Sequence, residues 1–518
     1  MRSFYVTSAI PYVNAEPHLG FALELIQADV LARYHRLCGD DTWFLTGTDE
    51  NSLTNVLAAE REGVPVATLV DRNAAAFQAL PAHLHVEHDD FIRTAADPRH
   101  RGGARRFWEA CVKAGDVYRR SYRGLYCVRC ERFYAPEELP DDRCPEHDVA
   151  PEVVEEENYF FRLSRHGERL VRLLETRALR VIPEFRHREV EAFVASGLTD
   201  FSISRSKARA RGWGIPVPGD PDQVMYVWFD ALTNYITALG YGGEESRCRR
   251  YWVDGSERVH VIGKDIVRFH AVYWPAMLLS AGLPLPTAIL VHGFLTRDGR
   301  RMSKTLGTGI DPVALARSWG ADAVRHWTLR EVPATGDADY TDAGFSRAYH
   351  SGLANDLGNL VQRTATMIRR YRAGEIRRPR AAHDQSPLAT AAAAIPAALD
   401  RALGDELDPR LALDAIFALV SHANRTVGER QPWALARAAD AGGGADASDR
   451  LDLVLWELAE CLRLVAEALR PLLPETSRRI ADQLGITLAS RWREALRWGG
   501  LECTRVAEPE PLFPRRDR

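Results

Sequence analysis

The opening of the chain alternates in a way that few folds can accommodate. Phe4-Tyr5-Val6-Thr7-Ser8-Ala9 reads as a strand, and Pro11-Tyr12-Val13-Asn14 as the turn that ends it. A helix is expected from near His18 to Cys38, because Leu23, Ile26, Val30, Tyr34 and Leu37 recur at helical spacing and Gly39 supplies a stop. Thr42-Trp43-Phe44-Leu45-Thr46 then reads as a second strand running into Gly47-Thr48-Asp49-Glu50. A strand, a helix and a strand joined by short turns form a right-handed βαβ unit. The alternation resumes with the strand Val259-His260-Val261-Ile262, a helix through Trp274 to Leu279, and the strand Ala288-Ile289-Leu290-Val291. The expected core is therefore an open α/β sheet, which holds its ligands at the carboxyl edge of the strands.

Between these halves, residues from about 115 to 225 are Cys/Pro/Asp-rich and then charged and irregular, so they read as an insertion. After about residue 350 the strand signals stop. Apolar residues then recur at helical spacing through Leu357–Ile368, Ala412–Val420 and Leu455–Leu469, the pattern of a helix bundle. Leu455, Leu458, Leu462, Val465 and Leu469 fall on one face, whereas Ala438 to Ser448 lacks periodicity and reads as a flexible loop. With 518 residues the chain has room for about two to four domains. The formal net charge of −4 gives no global basic field, although a local patch suffices to hold nucleic acid. No leader precedes the first strand and no apolar run reaches the ~18–20 residues that span a bilayer, so a soluble, cytoplasmic protein without a membrane partner is expected.

Three constellations carry chemistry. His18 falls at a helix start, where backbone N–H groups and the positive end of the dipole favour an anion, and Gly20 lets the backbone approach closely. A histidine there also serves as a capping residue. Arg301-Met302-Ser303-Lys304-Thr305 lies between Gly299 and Gly307, a loop whose lysine suits the β- and γ-phosphates of a triphosphate. The third is Cys127-x2-Cys130, thirteen residues, then Cys144-x2-His147, a closed tetrahedral donor set for one structural zinc. Eight cysteines in a chain of this size otherwise do not resemble a disulfide scaffold.

Pro17-His18-Leu19-Gly20 and Arg301-Met302-Ser303-Lys304-Thr305 resemble the two signatures of the class I aminoacyl-tRNA synthetases. Leu45 to Glu50, Gly214 to Gly219, Tyr226 to Leu232, Gly263 to Ile266 and Trp274 to Leu278 resemble the methionyl-tRNA synthetase family in particular, in the right order from about residue 4 to Pro514. The resemblance implies a Rossmann-type parallel sheet split by a zinc-bearing insertion and followed by an all-α C-terminal bundle. The implied division is 1–114 and 225–296 for the two halves of the nucleotide-binding domain, and 115–224 for the connective insertion. Residues 297–349 then form the lysine loop and linking region, and 350–518 the helical anticodon-binding domain.

The implied reaction is ATP-dependent activation of methionine, with Mg²⁺, and transfer to tRNA. Catalytic roles fall to His18, Arg301, Ser303 and Lys304, and ATP contacts to His18, Gly20, Gly263, Lys264, Asp265, Met302 and Lys304. Ile10, Tyr12, Trp228, Leu232, Tyr235, His270 and Trp274 match the methionine side-chain pocket, and Asp49 the ammonium site. Asn359, Arg363 and Trp433 match the anticodon-reading residues, and the arginine-dense run Arg369 to Arg380 suits either a tRNA backbone or a solvated helix end. No sequence remains for the appended barrel that dimerises some relatives, so a monomer is expected.

Two departures from the family pattern fall in the active site: Phe21 stands where the first signature ends in histidine, and Asn51-Ser52 where the family usually has His-Gly. Phenylalanine cannot donate to a phosphate. These changes leave a second reading open, an enzyme that adenylates an amino acid and passes it to a small-molecule acceptor, with a cupin partner, in making an N–N bond.

Overall fold

The computed structural model describes residues 2–128, 132–134, 138–145, 148–302, 308–333, 336–380, 386–441 and 444–516. They form two units. The first holds 1–28, 41–82 and 87–293, and the second holds 29–40, 83–86 and 294–518.

The first unit is built on a six-stranded, wholly parallel sheet. Ser3–Ser8 (β1) pairs with Asp41–Thr48 (β2), which pairs with Asp90–Arg93 (β3). On its other side β1 pairs with Glu257–Gly263, followed by Ala288–His292 and Arg180–Ile182. The helix Leu19–Leu37 (α1) joins β1 to β2, as the apolar spacing predicts, and Gly39 follows it with φ of 87°. A large buried cluster supports the sheet. In it Phe107, on the helix Pro98–Lys113, meets Phe229 at 5.9 Å and Trp274 at 5.6 Å between ring centres.

The inserted stretch folds as a long antiparallel hairpin, Val117–Cys127 with Glu152–Phe161, extended by Arg132–Tyr134 and Phe201–Ser202. One part of it behaves otherwise. Arg180–Ile182 is the edge strand of the parallel sheet, so the 115–224 stretch is not wholly separate from the nucleotide-binding sheet. A run this short, set between charged helices, carries no periodic signal of its own.

In the second unit the three expected helices are present as Asn359–Arg372, Pro409–Arg430 and Gly444–Leu469, and Pro474–Leu484 is a further one. Leu455, Leu458, Leu462, Val465 and Leu469 are fully buried. Arg325 is the buried charge that ties this unit together. It lies 2.7 Å from Asp29, with both side chains inaccessible, and donates to the carbonyls of Leu472, Pro471 and Leu84. A buried pair this well satisfied costs about 3–5 kcal/mol to break by removing one partner.

Two expectations fail here. Ala438–Asp440 ends the helix Pro432–Asp440, and Gly444–Ser448 begins the next, so the stretch expected to be a flexible loop is mostly helical. Alanine is the best helix former, and Asp446 suits a first helical turn, which the lack of apolar periodicity concealed. Nor is the region after 350 free of strands: Glu375–Arg377 pairs with Cys503–Arg505. Among the described residues, no helix is long and apolar enough to cross a membrane.

Candidate active site

From β1 the chain winds outward through β2 and β3 in one direction, and from Glu257–Gly263 through Ala288–His292 in the other. The gap between β1 and Glu257–Gly263 is thus the topological switch point, and the crevice beyond its carboxyl ends is where open α/β sheets bind ligands. Ile10 and Tyr12 follow β1, Asp49 follows β2, and Gly263-Lys264-Asp265 end the neighbouring strand. Tyr12 bridges to Asp49 in parallel fashion, and the Asp49 N–H donates to Pro11 O at 2.8 Å. Asp49 is 2 % exposed. At Gly263 an added Cβ would lie 3.0 Å from Asp265 Oδ1, a tight contact that the Asp265 side chain would have to relieve.

His18 starts α1. Its carbonyl accepts from the N–H groups of Phe21 and Ala22, and its Nδ1 accepts from Gly20 N–H at 3.1 Å. The imidazole caps the helix, and the capping bond fixes the tautomer: Nδ1 is the acceptor, so Nε2 carries the proton of the neutral ring. The two readings of His18 are therefore compatible. Gly20 has a reason distinct from the expected one, since a Cβ on it would lie 2.9 Å from His18 Cε1 and 3.0 Å from Nδ1. Phe21 is only 8 % exposed and sets its ring edge-on to Phe77, 5.2 Å between centres, so it is part of the packing.

The aromatic residues assemble behind this edge. Tyr235, Trp274 and Leu232 are buried in one cluster, with Ile10, Tyr12 and Trp228 packed on it and partly exposed, and the buried His270 lies against Tyr235. His270 Nδ1 lies 3.0 Å from Ile266 O and its Nε2 2.7 Å from Tyr235 Oη. The carbonyl can only accept, so Nδ1 carries the proton and Tyr235 donates to Nε2. Burial pushes the His270 imidazole down to about 4, so the ring is neutral at physiological pH. Trp228 stacks on Phe269 at 3.9 Å and meets His270 edge-on at 6.4 Å. The lining thus presents polarisable aromatic faces, with His270 and Tyr235 paired to each other and the indole nitrogens of Trp228 and Trp274 buried without a hydrogen-bond partner among the described residues, and such faces suit a thioether better than a charged side chain.

The model of the family described as tRNA synthetases class I (M) matches residues 4–147 and 134–365. The methionine–tRNA ligase of Brucella suis biovar 1 is 42% identical over 521 residues, covering 99% of this chain and 98% of its own length. That of Mycobacterium tuberculosis is 41% identical over 524 residues, 99% of this chain and 98% of its own. The solved structure of Mycobacterium tuberculosis methionyl-tRNA synthetase in complex with methionyl-adenylate matches with a TM-score of 0.91 at 40% identity, covering 99% of this chain and 100% of the other.

The chain belongs to the class I tRNA synthetases.

In this class I synthetase the lysine loop belongs to the second unit. Met302 is 4 % exposed and follows the strand Arg300–Arg301, with its N–H donating to Leu295 O at 3.3 Å; Ser303 and Lys304 lie outside the described residues. Of the four expected zinc ligands, Cys127 and Cys144 are each 1 % exposed in a small cluster with Tyr134 and Leu139. Cys144 Sγ lies 3.5 Å from Tyr134 Oη. Cys130 and His147 lie outside the described residues, and no group of three metal-ligating side chains occurs among those described. The two thiols buried in one cluster are two of the four expected donors. Asn359 and Arg363 lie one turn apart at the start of Asn359–Arg372, and that helix packs against Pro432–Asp440, which carries Trp433. In the arginine-dense run, Arg369, Arg372, Arg377 and Arg378 pair with Glu508, Asp452, Glu375 and Glu502, so much of its charge is neutralised locally.

Two features were missed in the sequence. Glu24 Oε2 lies 3.1 Å from His292 Nε2, at the end of the strand beside Gly263, and both side chains are nearly buried. Burial lowers the His292 pKa, but Glu24 and the Gly293 carbonyl more than offset this and hold it above its ordinary value. The only sequence signal was a carboxylate in the apolar run Leu23-Glu24-Leu25. The second is the use made of Asn51-Ser52. Asn51 donates to Asp230 at 3.1 Å, and Asp230 in turn lies 3.3 Å from His100. Ser52 caps the helix Leu53–Glu62 by accepting from Thr54 N–H at 2.9 Å.

Proposed function

We propose that this synthetase activates methionine with ATP and transfers it to tRNA, with the adenylate formed at the switch-point edge. The observation that carries this reading is the His270–Tyr235 bond beside Trp228 and Trp274: a buried imidazole held neutral, its polar atoms paired, in an aromatic lining. The methionine side chain would lie against Trp228, Leu232, Tyr235, His270 and Trp274, flanked by Ile10 and Tyr12, with its ammonium at Asp49. The amino-acid carboxylate then attacks the α-phosphate, and no side chain need become a covalent nucleophile. The chain supplies position and charge. Nε2–H of His18 would donate to a phosphate oxygen, Gly263, Lys264 and Asp265 would seat the nucleoside, and Lys304, with Arg301, Met302 and Ser303, would meet the charge that develops as pyrophosphate leaves. ATP enters as its magnesium complex, the metal neutralising phosphate charge.

Cys127, Cys130, Cys144 and His147 would hold one zinc that stabilises the inserted hairpin. Asn359, Arg363 and Trp433 would read unstacked anticodon bases. The same reading keeps 115–224 as the connective insertion and 350–518 as the anticodon domain, and treats the protein as a cytoplasmic monomer. The small-molecule-acceptor alternative is set aside, because the relatives aligned over the whole chain are methionine–tRNA ligases and both departures, Phe21 and Asn51, have structural partners.

The test pairs two assays. Pyrophosphate exchange across a panel of amino acids should rank methionine first, and methionine tRNA should be charged. Trp433→Ala should reduce charging far more than exchange. Robust exchange with no tRNA charged above background would refute the ligase reading, and a polar amino acid ranking first would refute the pocket.

A further inference from the structure

The lining residues Trp228, Leu232 and Tyr235 come from two consecutive helices, Val227–Leu232 and Asn234–Thr237. Residues four apart share a helix face, so Trp228 and Leu232 point one way and Asp230 falls on nearly the opposite side. That back side is polar. Asp230 is fully buried, and both carboxylate oxygens are held: Oδ2 accepts from Asn51 Nδ2 at 3.1 Å, and Oδ1 lies 3.3 Å from His100 Nε2. His100, on the helix Pro98–Lys113 and also fully buried, reaches Thr237 Oγ1 through Nδ1 at 2.9 Å. One imidazole therefore clamps the backs of both helices that carry the lining.

Asn51 joins this clamp to the ammonium site. It stands two residues beyond Asp49, and its amide nitrogen also donates to Thr94 O at 3.4 Å. Thr94 Oγ1 accepts from Glu50 N–H at 2.8 Å, and Asn55 Nδ2 donates to the carbonyls of Asp49 and Glu50 at 3.1 Å each. The segment from Asp49 to Asn51 is thus fixed in place, and the Asn51 amide spends one N–H on Thr94 and the other on Asp230.

An apolar side chain at 230 would pack the same helix without the cost of burying a carboxylate. Burial does drive the Asp230 pKa up, against the pull of His100 and Asn51. What the carboxylate adds is direction: hydrogen bonds of fixed length hold a helix in one register, whereas apolar contacts tolerate a slide. We infer that the Asn51–Asp230 bond sets the distance between Asp49 and the wall of Trp228 and Leu232, and so selects the amino acid by the length and width of its side chain. This deepens the proposed function and rests on it. Asn51 and Asp230 are positioning residues, acting through Asp49, Trp228 and Leu232.

The test is pyrophosphate exchange by the full-length protein with Asn51→Ala, Asn51→His and Asp230→Asn. Asn51→Ala leaves Asp230 Oδ2 without its donor. It should raise the methionine KM about 10-fold, the scale of one hydrogen bond lost at a buried partner, with kcat nearly unchanged and the ATP KM within about 2-fold of the parent. Selectivity for methionine over the branched leucine should fall about 5-fold or more, because a wall free to shift admits the wider side chain. Asn51→His, whose ring returns one N–H to Asp230, should recover part of the methionine KM. Asp230→Asn keeps the side-chain shape, should move the methionine KM in the same direction, and carries the test if Asn51→Ala melts early. A lower melt with methionine KM and selectivity unchanged would overturn the inference, leaving the network a matter of stability alone. Methionine and ATP KM values rising together would overturn it equally. A parent protein that prefers another amino acid refutes the functional reading itself, a distinct outcome.

Discussion

Gly20→Ala separates the capping role of His18 from its catalytic one. The new Cβ would stand 2.9 Å from Cε1 and 3.0 Å from Nδ1 of His18, where ordinary contact begins at 3.4 Å. The backbone of α1 is fixed by its hydrogen bonds, so the imidazole is the part that swings away. Losing a side-chain cap costs about 0.5–2 kcal/mol. Replacing glycine by alanine within a helix returns about 0.5–1 kcal/mol. The two nearly cancel, so the melting temperature should move by only a few degrees. Activation should not be spared, because Nε2–H would no longer be held where the phosphate charge develops. Removing one preorganised donor typically costs about 10²–10³ in kcat. Pyrophosphate exchange should therefore show kcat down about 10²-fold with the methionine KM nearly unchanged, alongside a melt close to the parent's. Wild-type kcat in a folded Gly20→Ala protein would refute the placement of His18.

Three further expectations follow the same logic. Lys304→Ala should lower exchange kcat by about 10²-fold or more with methionine binding nearly unchanged, because its charge acts as pyrophosphate departs; equal loss of binding and rate would make Lys304 a structural residue of its loop. Metal analysis should find about one zinc per chain, and Cys144→Ser should lose it and raise hydrogen exchange around residues 117–161; a metal-free preparation with a normal melt would remove the zinc. His270 is held to about 4 by burial, below its unfolded value, so its neutral form stabilises the fold above roughly pH 6.5. That contribution should fall by up to about 1.4 kcal/mol per pH unit as pH drops from roughly 6.5 toward 4, and His270→Gln should flatten the acid limb of the melting curve; an unchanged acid limb would show that His270 does not report there.

How much of this was legible in the sequence depended on whether the signal was local. The run from Phe4 to Thr46 announced a strand, a helix and a strand because each buries a periodic apolar face, and the carboxyl edge as the ligand-holding side followed from that order, whereas the switch point needed the strand order. The one-sided set Leu455, Leu458, Leu462, Val465 and Leu469 was legible for the same reason. Arg180–Ile182 was not, since three residues joining the edge of a sheet leave no period to read. Nor was the Glu24–His292 pair, which exists only because α1 and the end of a distant strand meet. Phe21 was legible only as a residue that cannot donate to a phosphate; that its ring packs on Phe77 is a contact that only the fold could reveal.

The central claim is that the carboxyl edge between β1 and Glu257–Gly263 is where methionine meets ATP. A crystal structure of the protein with a non-hydrolysable methionyl-adenylate analogue tests it most directly. The account predicts the thioether against Trp228, His270 and Trp274, the ammonium at Asp49, and the phosphate within hydrogen-bond reach of His18 Nε2. An analogue bound elsewhere, or bound at this edge with its side chain outside the aromatic lining, would contradict it.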